Sequence, residues 1–165
     1  MRSLALLLLL ALALAQPFPE KAPPFKAPTL EGEVFDLGEY LGKTPIFINF
    51  WATHCPPCLA EGPELAAYHE KYGDRVLFVG VNVQDHPKMA SFRVREWGWR
   101  FPVPLDPRGE IAYLYGVHKL PTSFFIDASG RVVRVHPGML VIRDRTGELV
   151  ADFLEKYLKE LLSSP

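Results

Sequence analysis

Two kinds of hydrophobic pattern alternate along the chain, and they predict strands and helices in turn. Runs of mostly apolar residues at 46–50 and 76–83 are typical of buried strands. Each run is followed by a segment with helical spacing, first residues 57–72 and then residues 87–97, and a glycine comes directly after each segment. The first half of the chain therefore predicts two strand–helix units, preceded by a short strand at residues 34–36.

The same alternation continues through the second half. Residues 102–105 form a short extended piece, and a short helix follows that ends at Gly116. Residues 123–126 and 131–136 predict two strands joined as a hairpin by the turn residues between them. A final helix is predicted to begin near Thr146. The residues expected on the core side of the two amphipathic helices are Met89, Phe92 and Trp97 in the earlier one and Leu149, Val150, Phe153, Leu154, Tyr157, Leu158 and Leu161 in the last.

Strands that alternate with helices predict an α/β fold, in which a central sheet carries helices on both faces. The hairpin near the end makes this sheet mixed. The chain has 165 residues, of which 48% are apolar, and this suits one globular domain. Its formal net charge is −1 and its Lys and Arg residues form no basic stripe, which argues against nucleic acid as a partner.

Residues 1–15 have the pattern of a secretory signal peptide. Arg2 supplies the positive start, residues 4–15 are an unbroken apolar run, and the small residues Ala13 and Ala15 fit a cleavage site. The alternative is an uncleaved membrane anchor, although a helix of this length rises only about 18 Å against the ~30 Å hydrocarbon core. In either case we expect the domain to be extracytoplasmic, in the periplasm or at the outer face of the membrane, where a disulfide persists.

Residues 16–28 contain five prolines and predict an extended tether with little structure of its own. The folded domain is then expected over residues 29–162, with membrane contact only through an uncleaved N-terminus. We expect a monomer, with no metal and no other cofactor.

The sequence contains two cysteines, Cys55 and Cys58, which are too few for a framework of several disulfides. They follow a predicted strand and open a predicted helix, so the helix dipole and the free first-turn amides should lower the pKa of Cys55. The thiolate is the form that attacks a disulfide, and Cys58, one turn further on, is placed to resolve the mixed disulfide. Pro56 and Pro57 are tolerated because first-turn amides have no partner inside the helix.

Three other interpretations of the pair remain open. A purely structural disulfide would close so small a loop that it stabilises little. A zinc half-site needs two more ligands at a recognisable spacing, and only His54 lies beside the pair. A reduced and inert pair is not expected in an exported protein. The strand before the pair, the helix after it and the export signal together favour redox chemistry.

Residues 51–58 (WATHCPPC) resemble the thioredoxin superfamily, and more narrowly its exported TlpA/ResA/CcmG-type proteins. The resemblance extends to Pro63 in the helix after the cysteines, to residues 81–85 before an inserted helix, and to residues 115–127, where the family has its cis-proline. It covers residues 25–162. It implies a thioredoxin-like fold with an N-terminal extension and a central inserted helix.

The resemblance also assigns roles to single residues. It implies that Cys55 is the exposed nucleophile, that Cys58 is the buried resolving thiol, and that the two form a disulfide. Pro121 would be the cis-proline facing the dithiol, and the cis bond would turn the Leu120 backbone toward the sulfurs, where it pairs with an incoming peptide. The alternative is an ordinary trans proline before a strand. The residues that we expect around a bound substrate are Trp51, His54, Pro56, Pro57 and Leu120.

Two of these residues have a second interpretation. His54 stands where many relatives have Trp; as a cation it would lower the pKa of Cys55 further, and otherwise it only faces solvent. Trp51 is expected to pack against the dithiol, or simply to fill the core.

Three residues bear on which group exchanges protons with the dithiol. Asn49 stands where thioredoxin has a buried Asp, and Asn cannot relay a proton. Asp85 falls where ResA-like proteins have a Glu near the dithiol, although it could instead cap the helix that opens at Pro87. Glu61, one turn beyond Cys58, could exchange protons with that thiol or face solvent as most charged residues do.

The resemblance implies an exported thiol–disulfide oxidoreductase that reduces disulfides in extracytoplasmic proteins. Its expected partners are apocytochrome c or a copper-centre apoprotein as substrate, and a membrane protein as electron donor, while the direction of electron flow stays open. Two alternatives remain. A peroxiredoxin-like peroxidase needs Thr three residues before its cysteine, where this chain has Ala52. A copper chaperone usually has three residues between its two cysteines, and here there are two.

Overall fold

The computed structural model of the protein describes residues 18–163. The signal peptide or anchor predicted for residues 1–15 therefore lies outside the described residues. In the part that is described, no helix is long and apolar enough to cross a membrane. The elements are, in chain order, β1 (Lys26–Pro28), β2 (Val34–Asp36), a 3₁₀ turn (Leu37–Glu39), β3 (Ile46–Trp51), α1 (Pro56–Tyr72), β4 (Leu77–Val83), α2 (Pro87–Trp97), β5 (Leu105–Asp106), α3 (Glu110–Leu114), β6 (Thr122–Ile126), β7 (Val132–Pro137), β8 (Val141–Arg143), β9 (Leu149–Asp152) and α4 (Phe153–Ser163).

A five-stranded sheet in the order β5-β4-β3-β6-β7 forms the centre of the fold. β3, β4 and β5 run parallel, whereas β6 pairs antiparallel with β3 and β7 antiparallel with β6. The mixed sheet expected from the sequence is therefore confirmed. Every residue of β3 is buried, and so is every residue of β4 after Leu77, which explains why both strands are almost entirely apolar.

The two faces of the sheet are covered by different elements. Successive side chains of a strand point to opposite faces. Phe47 and Trp51 of β3 pack in one buried cluster with α1, α2 and α4, while Ile48 and Phe50 pack in another with α3 and the N-terminal segment. Helices on both faces confirm the predicted α/β architecture, and α2, between β4 and β5, is the inserted helix that the resemblance implied.

The core side predicted for α2 is right for Trp97 and wrong for Met89 and Phe92. Met89 and Phe92 are 49% and 52% exposed, whereas Ala90 and Val94 are buried. Ala90, Val94 and Trp97 follow the spacing i, i+4, i+7 and form one stripe along the helix, and Met89 and Phe92 lie outside it. The core side of α2 therefore consists of Ala90, Val94 and Trp97, while two of its large apolar side chains face away from the core.

The structure describes the predicted tether of residues 16–28 from Phe18 onward, and this part is extended but packs on the domain. β1 pairs antiparallel with β2. The buried ring of Phe25 packs edge-on against the ring of Tyr115, with the two ring centroids 6.1 Å apart. The Tyr115 hydroxyl donates a hydrogen bond to the Pro23 carbonyl over 2.8 Å. The prolines keep this segment extended, while the apolar residues between them cover the second face of the sheet. The folded part therefore begins before residue 29.

A hairpin occupies the place where the last helix was predicted to begin. β8 pairs antiparallel with β9, and α4 begins only at Phe153. Leu149 and Val150 lie in β9 and are exposed, so their predicted place on the core side of a helix is wrong. The Asp144 carboxylate accepts hydrogen bonds from two backbone amides of the intervening turn. Such side-chain-to-backbone bonds hold a turn in preference to a helix.

Candidate active site

The two cysteines lie just beyond the C-terminal end of β3, where the chain turns into α1. Cys55 and Cys58 form a disulfide, with sulfur atoms 2.25 Å and Cα atoms 5.3 Å apart. Cys55 is the N-cap residue of α1, and its Sγ accepts a hydrogen bond from the Cys58 amide over 3.3 Å. Cys55 is 8% exposed and Cys58 4%. The first-turn amide and the helix dipole both favour negative charge on Cys55.

The neighbours of the disulfide divide into exposed and buried residues. His54, Pro56 and Pro57 are exposed and surround it on the protein surface. Trp51 is only 1% exposed, and its indole N–H donates a hydrogen bond to the Gly80 carbonyl over 3.3 Å. Trp51 therefore packs in the core in the same cluster as the cysteines, as expected. Its burial leaves almost no surface for the substrate contact that was also predicted for it.

β6 places a cis-proline beside the end of β3. The Leu120–Pro121 peptide bond is cis, and the pairing of Phe50 with Thr122 sets Pro121 next to the point where β3 leads into the cysteines. Pro121 is buried, whereas Leu120 is partly exposed. None of the described residues forms a hydrogen bond with the Leu120 amide or carbonyl. A backbone edge of this kind can pair with an extended peptide.

Asp85 holds the loop that leads into the cysteines. Its carboxylate accepts hydrogen bonds from the Thr53 amide (2.7 Å), the Thr53 hydroxyl (2.6 Å), the Asn82 side chain (2.9 Å) and the His86 amide (2.8 Å). Burial alone would raise the pKa of Asp85, but these hydrogen bonds outweigh it and leave the pKa below its usual range. The N-cap of α2, the alternative role for Asp85, belongs to His86. Asp85 is thus a charged anchor for the loop.

Glu61 is a buried acid, and the interpretation that it faces solvent is wrong. It is 1% exposed. One carboxylate oxygen, Oε2, accepts hydrogen bonds from the amides of Leu140 and Val141, while Oε1 has no partner among the described residues. Burial raises the pKa of Glu61 to about 7, and the two amide hydrogen bonds oppose this only in part. An acid with this pKa can both take up and release a proton at neutral pH.

Asn49, at the position of the thioredoxin Asp, forms an uncharged hydrogen bond between β3 and β6. It is buried, and its side-chain amide donates a hydrogen bond to the Ser123 hydroxyl over 3.0 Å. Glu61 is therefore the buried acid of this site, and it comes from α1.

The roles of Thr53, Asn82 and the Leu140 amide were not predicted from the sequence. These groups come from segments far apart along the chain, and only the fold brings them to Asp85 and Glu61. Over residues 18–163, no group of three or more His, Cys, Asp and Glu side chains is arranged to hold a metal ion.

Known proteins resemble this chain over most of its length. Residues 19–135 match the AhpC/TSA family. The chain is 37% identical over 160 residues to the thiol-disulfide oxidoreductase ResA of Geobacillus thermodenitrificans, covering 87% of this chain and 90% of that protein. It is 35% identical over 143 residues to ResA of Bacillus thuringiensis, covering 86% of this chain and 77% of the relative.

Solved structures agree with these matches. A thiol:disulfide interchange protein of the thioredoxin family from Chlorobium tepidum superposes with a TM-score of 0.68 at 28% identity, covering 90% of this chain and all of that one (100%). A secreted Mycobacterium tuberculosis disulfide oxidoreductase homologous to DsbE superposes with a TM-score of 0.67 at 26% identity, covering 84% and 94%. The thioredoxin-like fold is thereby confirmed. The chain belongs to the AhpC/TSA family and is a thiol–disulfide oxidoreductase of its thioredoxin-like branch.

Proposed function

We propose that the protein reduces disulfides in exported proteins, with Cys55 as the attacking thiolate and Cys58 as the resolving thiol. The observation that carries this assignment is the place of Cys55 at the start of α1, where it is more exposed than Cys58 and its sulfur accepts the Cys58 amide. In the reduced protein, the Cys55 thiolate attacks one sulfur of a substrate disulfide and displaces the other as a thiolate, which takes up a proton.

The second step completes the transfer of two electrons. The Cys58 thiol loses its proton and attacks Cys55 Sγ, which breaks the mixed disulfide. The substrate leaves with two thiols, and the protein keeps the Cys55–Cys58 disulfide. A dithiol on a membrane protein then reduces this disulfide and is itself oxidised, which restores the starting state.

Glu61 is our candidate for the base that takes the proton from Cys58. Residues three apart on a helix lie on one side of it, with Cβ atoms about 5–6 Å from each other. Glu61 is three residues beyond Cys58 in α1, and its Oε1 has no partner among the described residues. A pKa near 7 lets the carboxylate accept the proton during the attack and release it later.

Substrate binding is assigned to the surface around the disulfide. The Leu120 backbone would pair with an extended segment of the substrate, next to the exposed His54, Pro56 and Pro57. The residues 1–15 would bring the domain outside the cytoplasm. Apocytochrome c, whose haem-binding Cys-x-x-Cys must stay reduced, is the proposed substrate, with a copper-centre apoprotein as the second candidate. The similarity to relatives named thiol-disulfide oxidoreductase ResA supports the disulfide chemistry of this proposal.

A trapping experiment tests the proposal. In a Cys58→Ala variant the mixed disulfide cannot be resolved, so the substrate should stay linked to Cys55. We expect apocytochrome c to be recovered from the host as a covalent adduct that a thiol reductant releases. The double variant Cys55→Ala/Cys58→Ala is the matched control and should trap nothing. The proposal fails if Cys58→Ala traps no protein and the reduced wild type does not reduce a model disulfide.

A further inference from the structure

A groove next to the cis-proline combines an apolar floor with a basic rim. It encloses about 370 Å³ between the end of β4, the start of α3 and the loop before β6. The floor contains Val83, Ala112 and Val117, all of them buried. The dithiol site described above does not use these residues.

The rim of the groove is rich in basic side chains, and among the described residues only one of them pairs with a nearby acid. Arg108, His118 and Lys119 are exposed there, and no Asp or Glu lines the groove. Arg108 forms an ion pair with Glu110 over 3.0 Å. The side chains of His118 and Lys119 form neither an ion pair nor a hydrogen bond with any residue in the described range. The rim is therefore locally positive, although the whole chain has a formal net charge of −1.

The walls of the groove are fixed by close contacts. Gln84 has a φ of 47°, and its side chain lies so near Gly109 that a Cβ on this glycine would be 3.2 Å from it. Gly109 itself has a φ of 73°, a conformation that favours glycine. On the other side, the Thr122 hydroxyl donates a hydrogen bond to the Lys119 carbonyl over 2.6 Å. The groove therefore exists before any ligand binds.

The groove is continuous with the proposed active site on two sides. Leu120 lines it and directly precedes the cis-proline. Gln84 lines it and directly precedes Asp85, whose carboxylate holds Thr53 two residues before Cys55. A peptide that pairs with the Leu120 backbone while its disulfide meets Cys55 would thus run along the groove.

We propose that this groove binds the chain segment that flanks the reactive cysteine of a substrate, and that it selects segments carrying Asp or Glu next to an apolar side chain. The apolar side chain occupies the floor, and the carboxylates meet Lys119 and its basic neighbours at the rim. Opposite charges at a rim of this kind mainly raise the rate of productive encounter. This inference rests on the disulfide-reducing function proposed above and specifies the chemistry of its substrates.

Three disulfide peptides of one design provide the test. They differ only in two positions near the cysteine, which are Asp in the first, Ser in the second and Lys in the third. The measured quantity is kcat/KM for reduction by the reduced protein at low ionic strength, expressed as the ratio of the Asp peptide to the Lys peptide. We expect a ratio of about ten or more, because steering by charge changes association rates about tenfold or more. Added salt should lower it.

Charge variants then locate the selectivity. Lys119→Glu should bring the ratio to about one or below, and Lys119→Gln should lower it less. The matched control is Lys43→Glu, an exposed lysine before the other end of β3, which should keep the wild-type ratio. Two results would overturn the inference: equal rates for all three peptides, or a ratio that stays unchanged in both Lys119 variants. Either result leaves the proposed function standing. Reduction of none of the peptides overturns the function as well.

Discussion

At the scale of single residues, Glu61 couples the stability of the fold to pH. Its carboxyl group is buried, and burial raises its pKa to about 7 from an ordinary value of 4.5. An acid whose pKa is raised on folding binds its proton more tightly in the folded state. The stability that it contributes is therefore complete below about pH 4.5 and is lost as the pH rises through 7. The difference between the two pKa values corresponds to about 3 kcal/mol.

Glu61→Gln should remove this pH dependence, because Gln does not titrate. Urea unfolding of the oxidised protein at pH 5 and pH 8 measures it. We expect the wild type to lose about 2–3 kcal/mol more than the variant between these two pH values. Glu70→Gln, an exposed position on the same helix, should retain the wild-type difference.

If Glu61 is also the base for Cys58, the rate of disulfide reduction by the wild type should show an inflection near pH 7. This inflection should disappear in Glu61→Gln and remain in Glu70→Gln.

The burial of Glu61 has a signal in the spacing of its neighbours along the sequence. Cys58, Glu61, Gly62 and Leu65 follow helical spacing and are the stripe of α1 that packs into the core. Asp85 looked like the acid of the site because of its position relative to the family. Its role depends on hydrogen bonds from Thr53, which comes from another strand end, and no local pattern shows such contacts.

At the scale of elements, the regular parts of the fold were predictable and the irregular insertion was not. β3, β4 and α1 have patterns that persist over at least six residues; in addition, Pro45 precedes β3, and Pro56 and Gly73 mark the ends of α1. The β8–β9 hairpin is short, and its residues Leu149 and Val150 continue the helical spacing of α4, so the pattern alone extended the helix too far. The turn between the strands depends on the Asp144 side chain, which outweighs that spacing.

Because α1 packs closely on α2, one glycine-to-alanine substitution should change the stability of the protein in the direction opposite to the usual one. Replacing a glycine in the middle of a helix by alanine ordinarily stabilises by roughly 0.5–1 kcal/mol. A Cβ on Gly62, however, would lie 2.4 Å from ring atoms of Trp97, and the Gly62 carbonyl accepts a hydrogen bond from the Trp99 indole over 2.7 Å. Gly62→Ala should therefore destabilise the protein by about 1–3 kcal/mol, measured by denaturant unfolding.

A double variant provides the control for this sign. In a Trp97→Ala background the ring is absent, so Gly62→Ala should no longer destabilise and should instead show the ordinary gain of a helical alanine. Gly62→Ala variants that are more stable than their parent in both backgrounds would show that α1 and α2 do not approach each other this closely.

At the scale of the whole molecule, the N-terminal segment completes the second face of the sheet. α3 has only five residues and covers part of that face. Phe25 and Ala27 of the segment are buried there together with Phe35, and the Leu37 amide donates a hydrogen bond to the Phe25 carbonyl over 3.0 Å. The sequence predicted a tether because prolines dominate its composition, whereas the alternation of Phe25 and Ala27 spans too few residues to predict a strand.

Phe25→Ala distinguishes a tether from a structural part of the domain. If the segment belongs to the core, loss of this buried ring should cost about 3–5 kcal/mol in the free energy of unfolding, measured with urea on the oxidised protein. Phe92→Ala is the matched control, since Phe92 is 52% exposed on α2 and its removal should change stability by less than about 0.5 kcal/mol. Equal and small effects of both substitutions would show that the sheet keeps its stability without the segment and that residues 18–28 are only a connection to the N-terminus.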